Sequence, residues 1–227
     1  MRWLIDFFML FFPSNCLVCG KRLHAPGAVL CFVCEMKMPK TGFKDSDNNP
    51  VSKIFWGRVP VMAGTSLFRF EKGSAYQSLL HDLKYRGNRK AGLYLGRLLG
   101  QALKHTSFSD CDLMVPVPLH RKRLKQRGYN QSEIIARGAS EITGIPVASS
   151  LIGRKRNMRS QTLMNRQERF ENMARAFTLY DYFPGLHGKK ILLVDDIVTT
   201  GATLEACSQV LLSHFNCLVY IATVSYA

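Results

Sequence analysis

Apolar residues along the chain follow two periods, and the two alternate from residue 61 onward. Compact apolar runs predict buried strands, whereas apolar residues three and four positions apart predict amphipathic helices. Strands are predicted at residues 113–116, 190–194 and 218–224, and residues 61–70 are predicted to form one strand or two short ones. Helices are predicted at residues 74–85, 91–104, 130–143 and 202–214. This alternation predicts an α/β fold with a central, mostly parallel sheet flanked by helices, whose ligand lies beyond the carboxyl ends of the strands.

Three stretches lack such a period. The basic stretch 120–127 and the polar stretch 150–175 are predicted to be loops, and residues 41–60 carry the turn-rich run DSDNNP. The predicted organisation is therefore an N-terminal helix and small cysteine-rich ribbon over residues 1–40, a linker over 41–60, and the main α/β domain over 61–227.

The first residues, MRWLIDFFMLFFP, form an apolar run that carries Asp6. The run has about 10 residues, half of the roughly 20 that a membrane-spanning helix needs. No secretory cleavage site follows it, so we expect a cytoplasmic location without stable transmembrane anchoring. The pattern predicts a short amphipathic helix packed on the body of the protein. A peripheral contact with a membrane surface is the less favoured alternative.

The charge of the chain indicates its binding partners. The net charge is +15, from 31 basic and 16 acidic residues. Residues 116–176 alone hold 13 lysines and arginines against 4 acidic residues. Such a surplus attracts polyanions, namely nucleic acid, phosphorylated metabolites or an acidic membrane surface. A solvated basic face that only aids solubility is the alternative, but the clustering favours phosphate binding.

Seven cysteines, an odd number, argue against a disulfide framework when no export signal is predicted. Four of them form two C-x-x-C pairs, and these are Cys16, Cys19, Cys31 and Cys34. Two such pairs provide the four thiolates of a tetrahedral site, an arrangement typical of structural Zn²⁺. Two redox-active motifs are the alternative, although two so close together would be unusual. Cys111, Cys207 and Cys217 lie in apolar contexts and are predicted to be buried thiols.

The stretch ILLVDDIVTTGAT, residues 191–203, places two carboxylates directly after a buried strand. Small and hydroxyl-bearing residues then lead into a helix, where backbone N–H groups and the helix N-terminus form a cradle for an anion. Carboxylates beside such a cradle suit a ligand that carries both vicinal hydroxyls and a phosphate. A ribose 5-phosphate meets that description.

The same stretch resembles the 13-residue signature of the type I phosphoribosyltransferases, which bind phosphoribosyl pyrophosphate (PRPP), and it matches at every position. The preceding cysteine ribbon and the segments LKYRG (83–87), PVPLHRKRLKQRGYNQ (116–131) and RSQTLMNRQERFENMARAF (159–177) resemble the ComF family. That resemblance covers nearly the whole chain. It implies a type I phosphoribosyltransferase fold with a small N-terminal zinc ribbon, and a link to natural competence and DNA uptake.

The resemblance also implies roles for individual residues. Asp195 and Asp196 would hold the ribose hydroxyls of PRPP, and the basic residues after Val115 would form the pyrophosphate loop. The other residues assigned to PRPP binding are Thr199, Thr200, Gly201, Ala202, Thr203, Arg121, Lys122, Arg127, Arg159 and Gln161. Asp195, Asp196 and Arg123 are assigned to catalysis, together with Mg²⁺ that is held mainly by PRPP itself. Arg159 and Gln161 belong to a segment, residues 154–170, that is expected to close over the site.

Three functions stay open at this point. The first is a phosphoribosyltransferase with an unidentified acceptor. The second is an accessory protein of DNA uptake that binds single-stranded DNA, with aromatic side chains as stacking platforms. The candidate platforms are Phe32, Phe43, Phe55, Trp56 and Tyr129, each more readily explained as core. The third is a PRPP-sensing regulator with no turnover. A PRPP synthetase shares the signature, but such enzymes are longer and lack the ribbon.

Overall fold

The structure, a computed structural model, describes residues 14–23, 25, 27–43, 47–154, 176–180 and 185–227. Its strands are β1 (Val61–Arg69), β2 (Leu113–Pro116), β3 (Ile152–Arg154), β4 (Phe177–Leu179), β5 (Lys190–Val198) and β6 (Leu218–Tyr226). Its helices are α1 (Phe32–Met36), α2 (Pro50–Lys53), α3 (Gln77–Tyr85), α4 (Arg89–Leu103), α5 (Arg121–Arg127), α6 (Gln131–Thr143) and α7 (Ala202–His214).

The central sheet has four parallel strands in the order β1-β6-β5-β2, as the alternating pattern predicts. Successive residues of β5 face opposite layers, because side chains alternate along a strand. Leu192 and Val194 pack with α4 and α6, whereas Ile191 and Leu193 pack with α2 and α7. Both faces of the sheet are thus covered, which is why its strands are apolar runs instead of alternating patterns.

Helices α4 and α6 cross on one face of the sheet at very short range. A Cβ on Gly96 would lie 2.2 Å from the carbonyl oxygen of Ile135, and one on Gly138 would lie 2.4 Å from that of Leu93. Any larger side chain at either glycine would push the helices apart. This close packing fixes the start of α6 next to the end of β5.

The described residues ahead of the sheet are attached to its β1 edge. Lys40 forms an antiparallel bridge with Phe68, and the side chain of Asn49 donates to the carbonyl oxygen of Gly64 at 2.8 Å. Asn49 also caps α2, and Val51 and Phe55 of this segment are fully buried. The segment predicted as a linker therefore contributes core side chains within the part of it that the structure describes.

Three local predictions are corrected. Residues 121–127 form helix α5 instead of a loop, since His120 caps its start and Gly128, at φ +75°, ends it. The predicted loop 150–175 contains strand β3, which pairs antiparallel with β4. Strand β5 continues four residues beyond its predicted end, because β6 pairs with it as far as Val198.

Two further predictions fall on residues outside those described. The predicted N-terminal helix falls on residues 1–13, and most of the segment expected to close over the site falls on residues 155–175. Among the described helices, none combines the length and the apolar character that crossing a bilayer requires.

Candidate functional site

Asp195 and Asp196, the acidic pair, lie in β5 directly after the point where β2 stops pairing with it. Strand β2 pairs with β5 only as far as Pro116 opposite Val194, whereas β6 pairs with it to Val198. Asp195 and Asp196 are therefore inside the strand, just past the end of β2. The acidic pair thus lies at the carboxyl end of the sheet on the side of β5 that β2 no longer covers. Parallel α/β sheets bind their ligands at such a position.

The two carboxylates are held by different partners. The hydroxyl of Ser132, at the start of α6, donates to Asp195 Oδ1 at 2.7 Å, and the backbone N–H of Asp196 donates to the same oxygen at 2.9 Å. Lys84 Nζ, at the end of α3, lies 3.1 Å from Asp196 Oδ2. Neither Lys84 nor Ser132 was assigned to the site from the sequence, although Lys84 lies in the LKYRG segment.

Burial dominates the ionisation of Asp195. Loss of solvent and, after it, the negative charge of Asp196 raise the pKa of Asp195, and the hydrogen bond from Ser132 lowers it; the net result is a pKa of about 7. Near neutral pH the pair is therefore able to carry one or two negative charges. Hydroxyl groups of a ligand donate most strongly to the fully ionised pair.

The threonine turn after β5 leads directly into α7. Thr199 and Thr200 are exposed, and Gly201 adopts φ +74° as the residue before the helix. A Cβ at this position would lie 2.5 Å from Ile54 Cγ2, so both conformation and space require glycine. The first N–H groups of a helix have no partner within the helix, and together with the hydroxyls of the exposed Thr199 and Thr200 they are donors of the kind that suits a phosphate.

Arg58 anchors this turn from the segment between α2 and β1. Its guanidinium donates to the carbonyl oxygens of Thr200, at 2.8 Å, and Ile54, at 2.9 Å. It also forms an ion pair with Glu205 on α7, whose side chain is only 1% exposed. Because the two partners are 147 positions apart in the chain, no sequence pattern connects them. Arg58 and Glu205 are positioning residues that the sequence analysis missed.

The predicted basic residues occupy helix α5. Arg121, Lys122 and Arg123 are exposed on this helix, whereas Arg127 at its end lies over the ring of Tyr85, 5.3 Å from the ring centre. The side chain of Asn130 donates to the carbonyl oxygen of Val117 at 3.0 Å and fixes the return of the chain beside β2. Of these four cations, the structure brings Arg127 next to the segment that holds Lys84.

The four cysteines of the paired motifs form one cluster. Their sulfur atoms all lie within 4.8 Å of one another, and Cys19 Sγ and Cys31 Sγ are 3.7 Å apart. A tetrahedral site with Zn–S bonds of about 2.3 Å has sulfur–sulfur edges of roughly 3.8 Å, so the cluster has the size that Zn²⁺ requires. The predicted grouping of Cys16, Cys19, Cys31 and Cys34 is confirmed.

The cysteines of the cluster differ in how readily they ionise without a metal: burial and the neighbouring cysteines raise the pKa of Cys34 to about 12, whereas that of Cys16 is lowered. Burial alone would raise the pKa of Cys16, but backbone hydrogen bonds from Cys19, Cys31 and Val18 outweigh it and lower the pKa to about 6. Thiolates are the form that ligates metals. Outside the cluster, the cysteines predicted from their apolar contexts to be buried are buried, and these are Cys111, Cys207 and Cys217.

The candidate aromatic platforms divide into two groups. Phe55 and Tyr129 are core residues, and Phe43 packs its ring 5.7 Å from that of Tyr226. Phe32 and Trp56 are instead 79% and 57% exposed, so the core interpretation is wrong for these two. Lys53 Nζ lies 5.6 Å from the centre of the Trp56 ring. Two further predicted contacts, Arg159 and Gln161, lie outside the described residues.

Comparison with known proteins places the chain in context. The phosphoribosyl transferase domain family matches residues 126–227, which include the acidic pair and the threonine turn. The chain is 25% identical over 219 residues to competence protein F of Haemophilus influenzae, covering 89% of this chain and 93% of that protein. It is 32% identical over 223 residues to the DNA utilization protein YhgH of Escherichia coli O157:H7, covering 91% and 94% respectively.

A third relative is similar over a shorter region. Competence protein ComFC of Bacillus subtilis is 32% identical over 100 residues, or 44% of this chain and 38% of that protein. Together with the parallel sheet and the N-terminal cysteine cluster, the family match confirms the predicted type I phosphoribosyltransferase fold.

Proposed function

This chain belongs to the ComF family, and on that premise we propose that it binds PRPP and transfers the phosphoribosyl group to an acceptor. The observation that carries the proposal is the acidic pair Asp195–Asp196 at the carboxyl end of the sheet, followed by the glycine turn into α7. Carboxylates are placed there to accept from two hydroxyls, and the turn supplies N–H groups for a phosphate.

In the proposed complex the ribose hydroxyls of PRPP donate to Asp195 and Asp196, and the 5′-phosphate occupies the turn from Thr199 to Thr203. Arg58 keeps that turn in place by holding the carbonyl oxygen of Thr200 away from the phosphate. The two ends of the sugar are thus fixed by β5 and α7, which come from one continuous segment. Such fixation orients ribose C1 for substitution.

The proposed reaction is a substitution at ribose C1. The bond from C1 to the pyrophosphate oxygen breaks, and its electron pair leaves with pyrophosphate. A nucleophilic atom of the acceptor forms the new bond to C1 and releases its proton. Positive charges near the leaving group stabilise the transition state, and Arg123 and Arg127 of α5 are the proposed arginines.

Mg²⁺ would be held mainly by PRPP and would neutralise the leaving pyrophosphate. The oxygens of Asp195 and Asp196 are donors of the type that Mg²⁺ prefers, so the site fits an ion that arrives with the ligand.

We further propose that the cysteine cluster holds a structural Zn²⁺. All four ligands would bind the ion as thiolates, and four protein ligands leave no open position for substrate, which is typical of structural sites. Seven free thiols are compatible with the proposed cytoplasmic location, since oxidising compartments favour disulfides.

A role in DNA uptake is supported by relatives named for competence and DNA utilization. Binding of single-stranded DNA is the second candidate function, and the exposed rings of Phe32 and Trp56 on a chain of charge +15 favour it. Its affinity for DNA would fall steeply between low and high salt. A PRPP-sensing regulator would bind PRPP without acceptor-dependent release of pyrophosphate.

The first experiment is a calorimetric titration of the zinc-loaded chain with PRPP, with and without Mg²⁺. We expect Mg²⁺-dependent binding in the micromolar range, on the order of −8 kcal/mol. Absence of binding at millimolar PRPP would remove the proposal and leave DNA binding as the leading function.

The matched variants are Asp196→Asn and Asp112→Asn. Both remove a carboxylate that pairs with a lysine, Lys84 in one case and Lys189 in the other, but Asp112 lies at the opposite end of β2. Asp196→Asn is expected to weaken PRPP on the order of 100-fold, since hydrogen bonds to charged groups contribute about 1.5–3 kcal/mol each. Asp112→Asn is expected to leave the affinity within about threefold. Equal effects of the two variants would contradict the ribose assignment.

A further inference from the structure

The cysteine ribbon holds the start of helix α3. The hydroxyl of Tyr76, the residue before α3, donates to the carbonyl oxygen of Cys34 at 2.8 Å. The hydroxyl of Ser78, in the first turn of α3, lies 2.7 Å from the carbonyl oxygens of both Leu17 and Ala75 and shares its single proton between them. Because Leu17 lies in the first cysteine pair and Cys34 in the second, both halves of the ribbon contact this helix.

The ribbon is itself fixed from α4. The hydroxyl of Tyr94 on α4 forms a hydrogen bond with the carboxylate of Glu35, directly after the second cysteine pair. Within the ribbon, the backbone N–H of Leu17 donates to the carbonyl oxygen of Val29 at 3.1 Å and ties the two halves together. Helix α4 is held firmly by its close crossing with α6 at Gly96. The ribbon therefore links a firmly packed helix to the start of α3.

Helix α3 extends from this contact to the acidic pair. Ser78 and Lys84 are six residues apart on α3, or about 9 Å along the helix axis. Lys84 Nζ lies 3.1 Å from Asp196 Oδ2, and its side chain is only 23% exposed. A largely buried stem has little freedom to compensate for a movement of its helix. A displacement of α3 by about 1 Å would therefore take the ammonium out of hydrogen-bond range of the carboxylate.

The other end of α3 has its own support. The hydroxyl of Tyr129 donates to the carbonyl oxygen of Leu83, and the Leu83 side chain packs on Gly92 of α4, where a Cβ would lie 2.7 Å from Leu83 Cδ1. With the ribbon contacts in place, α3 is thus supported at both ends. Without them the helix would be able to tilt about Leu83, and the adjacent Lys84 would swing away from Asp196.

We propose that Tyr76 and Ser78 are positioning residues through which the ribbon holds Lys84 against Asp196. The inference goes beyond the proposed function, because this ion pair exists in the chain without any ligand. It gives the ribbon a second role in addition to its own fold: the ribbon sets the charge environment of the acidic pair from a distance.

The test measures how fast Lys84 of the full chain reacts with an amine-acetylating reagent, with the acetylated fraction of each lysine quantified by mass spectrometry. A lysine buried against a carboxylate is reached slowly by the reagent, and its release speeds the reaction. Lys189, whose ammonium lies 2.9 Å from Asp112 Oδ1 far from the ribbon contacts, is the internal reference.

The variants Tyr76→Phe and Ser78→Ala each remove one hydroxyl that reaches the ribbon. The matched controls are Tyr180→Phe and Ser109→Ala, which remove hydroxyls that donate to backbone carbonyl oxygens elsewhere, at 3.0 and 2.7 Å. Ser109 donates to the carbonyl oxygen three residues back, as Ser78 also does. The conservative variant Ser78→Thr keeps the hydroxyl and tests for rescue.

In the double variant Tyr76→Phe/Ser78→Ala, the acetylation rate of Lys84 relative to Lys189 is expected to rise about threefold to tenfold. Tyr180→Phe and Ser109→Ala are expected to change this ratio less than about twofold. Replacing Ser78→Ala by Ser78→Thr in the double variant is expected to restore part of the slow rate. A general loss of stability would speed both lysines alike, so the ratio separates positioning from a merely structural role.

Three results would overturn the inference. These are an unchanged Lys84 rate in the double variant, equal acceleration of Lys84 and Lys189, and an equal rise of the ratio in the two control variants. The proposed PRPP function stands in all three, because no ligand enters the experiment.

Discussion

The cysteine cluster and the acidic pair both bring like-charged groups together, but they do so in different ways. The cluster takes its four sulfurs from residues 16–34, two turns of one short segment. The acidic pair takes its partners from α3 and α6, with Lys84 and Ser132 more than 60 positions from Asp195. One site is thus built by local chain geometry and the other by the packing of the whole α/β domain.

The two sites also differ in how their charge is neutralised. The described residues around the cysteines provide hydrogen bonds to sulfur, and the proposed countercharge is a metal from solution. The acidic pair has a cation of its own in Lys84 and is partly protonated near neutral pH. We therefore expect the ribbon to depend on metal for its fold and the acidic site to keep its fold when empty.

Removing the metal should have the largest effect. Cys31→Ser, or a strong chelator, is expected to unfold residues 14–43, because structural Zn²⁺ contributes about 10–16 kcal/mol in small zinc-binding units. Zinc content per chain, circular dichroism and thermal melting are the measurements. Cys217→Ser, which alters a buried thiol outside the cluster, is the control and should retain zinc. A Cys31→Ser protein with full zinc content and unchanged melting would show that the cluster is not a zinc site.

Titration of Asp195 should have the next largest effect. Its pKa is about 7 in the folded chain, against 3.8 for a solvated aspartate, so between these values the folded state keeps a proton that the unfolded chain has lost. Its contribution to stability is full below about pH 4 and is lost as the pH rises to about 7. The difference in unfolding free energy between wild type and Asp195→Asn should therefore fall by up to about 4 kcal/mol over this range.

Chemical denaturation without PRPP or Mg²⁺ measures that difference. Because both proteins carry the same cysteine cluster, acid-induced changes in the ribbon cancel in the comparison. A difference that is constant from pH 4 to 7 would show that Asp195 titrates at its ordinary pKa. The acidic site would then resemble a solvated surface pair more than a buried one.

Loss of Arg58 should have a smaller effect, confined to the turn and α7. Arg58→Met leaves the carboxylate of Glu205 buried without its partner, at a cost of about 2–3 kcal/mol since the arginine is itself 33% exposed. Arg97→Met removes an ion pair of half-exposed partners, with Glu141, and should cost less than about 1 kcal/mol.

Chemical denaturation measures how much unfolding free energy each of the two variants loses. A second substitution, Glu205→Met, tests whether the loss in Arg58→Met comes from the unpaired carboxylate. In the Arg58→Met background it should restore much of the lost stability, because a buried pair is replaced by apolar groups. Equal destabilisation by Arg58→Met and Arg97→Met would show that the turn does not depend on the buried pair.

Sequence patterns predicted best what depends on neighbouring residues. Apolar runs located β2 and the start of β5, and Asn130 was correctly identified as the cap of α6, where its side chain accepts from the N–H of Ser132. Helix α5 was missed because RKRLKQR has no apolar face, and all its side chains are at least partly exposed. Gly128, the left-handed residue that ends the helix, was the signal available in the sequence.

The exposed aromatic residues show the limit of composition. Phe32 and Phe55 have the same side chain, but one is 79% exposed and the other 1%. Phe55 lies beside Gly201 and packs under the turn into α7, whereas Phe32 begins the short helix α1 on the outside of the ribbon. Burial of a single ring depends on what packs on it, and that is decided by distant parts of the chain.

The sequence by itself determined the parallel α/β class, the cysteine pairs and the acidic signature, because apolar periodicity and motif spacing act over a few residues. Only the tertiary structure decided that Lys84 meets Asp196, that Ser132 meets Asp195 and that Arg58 meets Glu205. Partners so far apart in the chain are selected by the register of β5 between β2 and β6 and by the close crossing of α4 and α6. Their ion pairs form because packing has already brought them together and removed competing water.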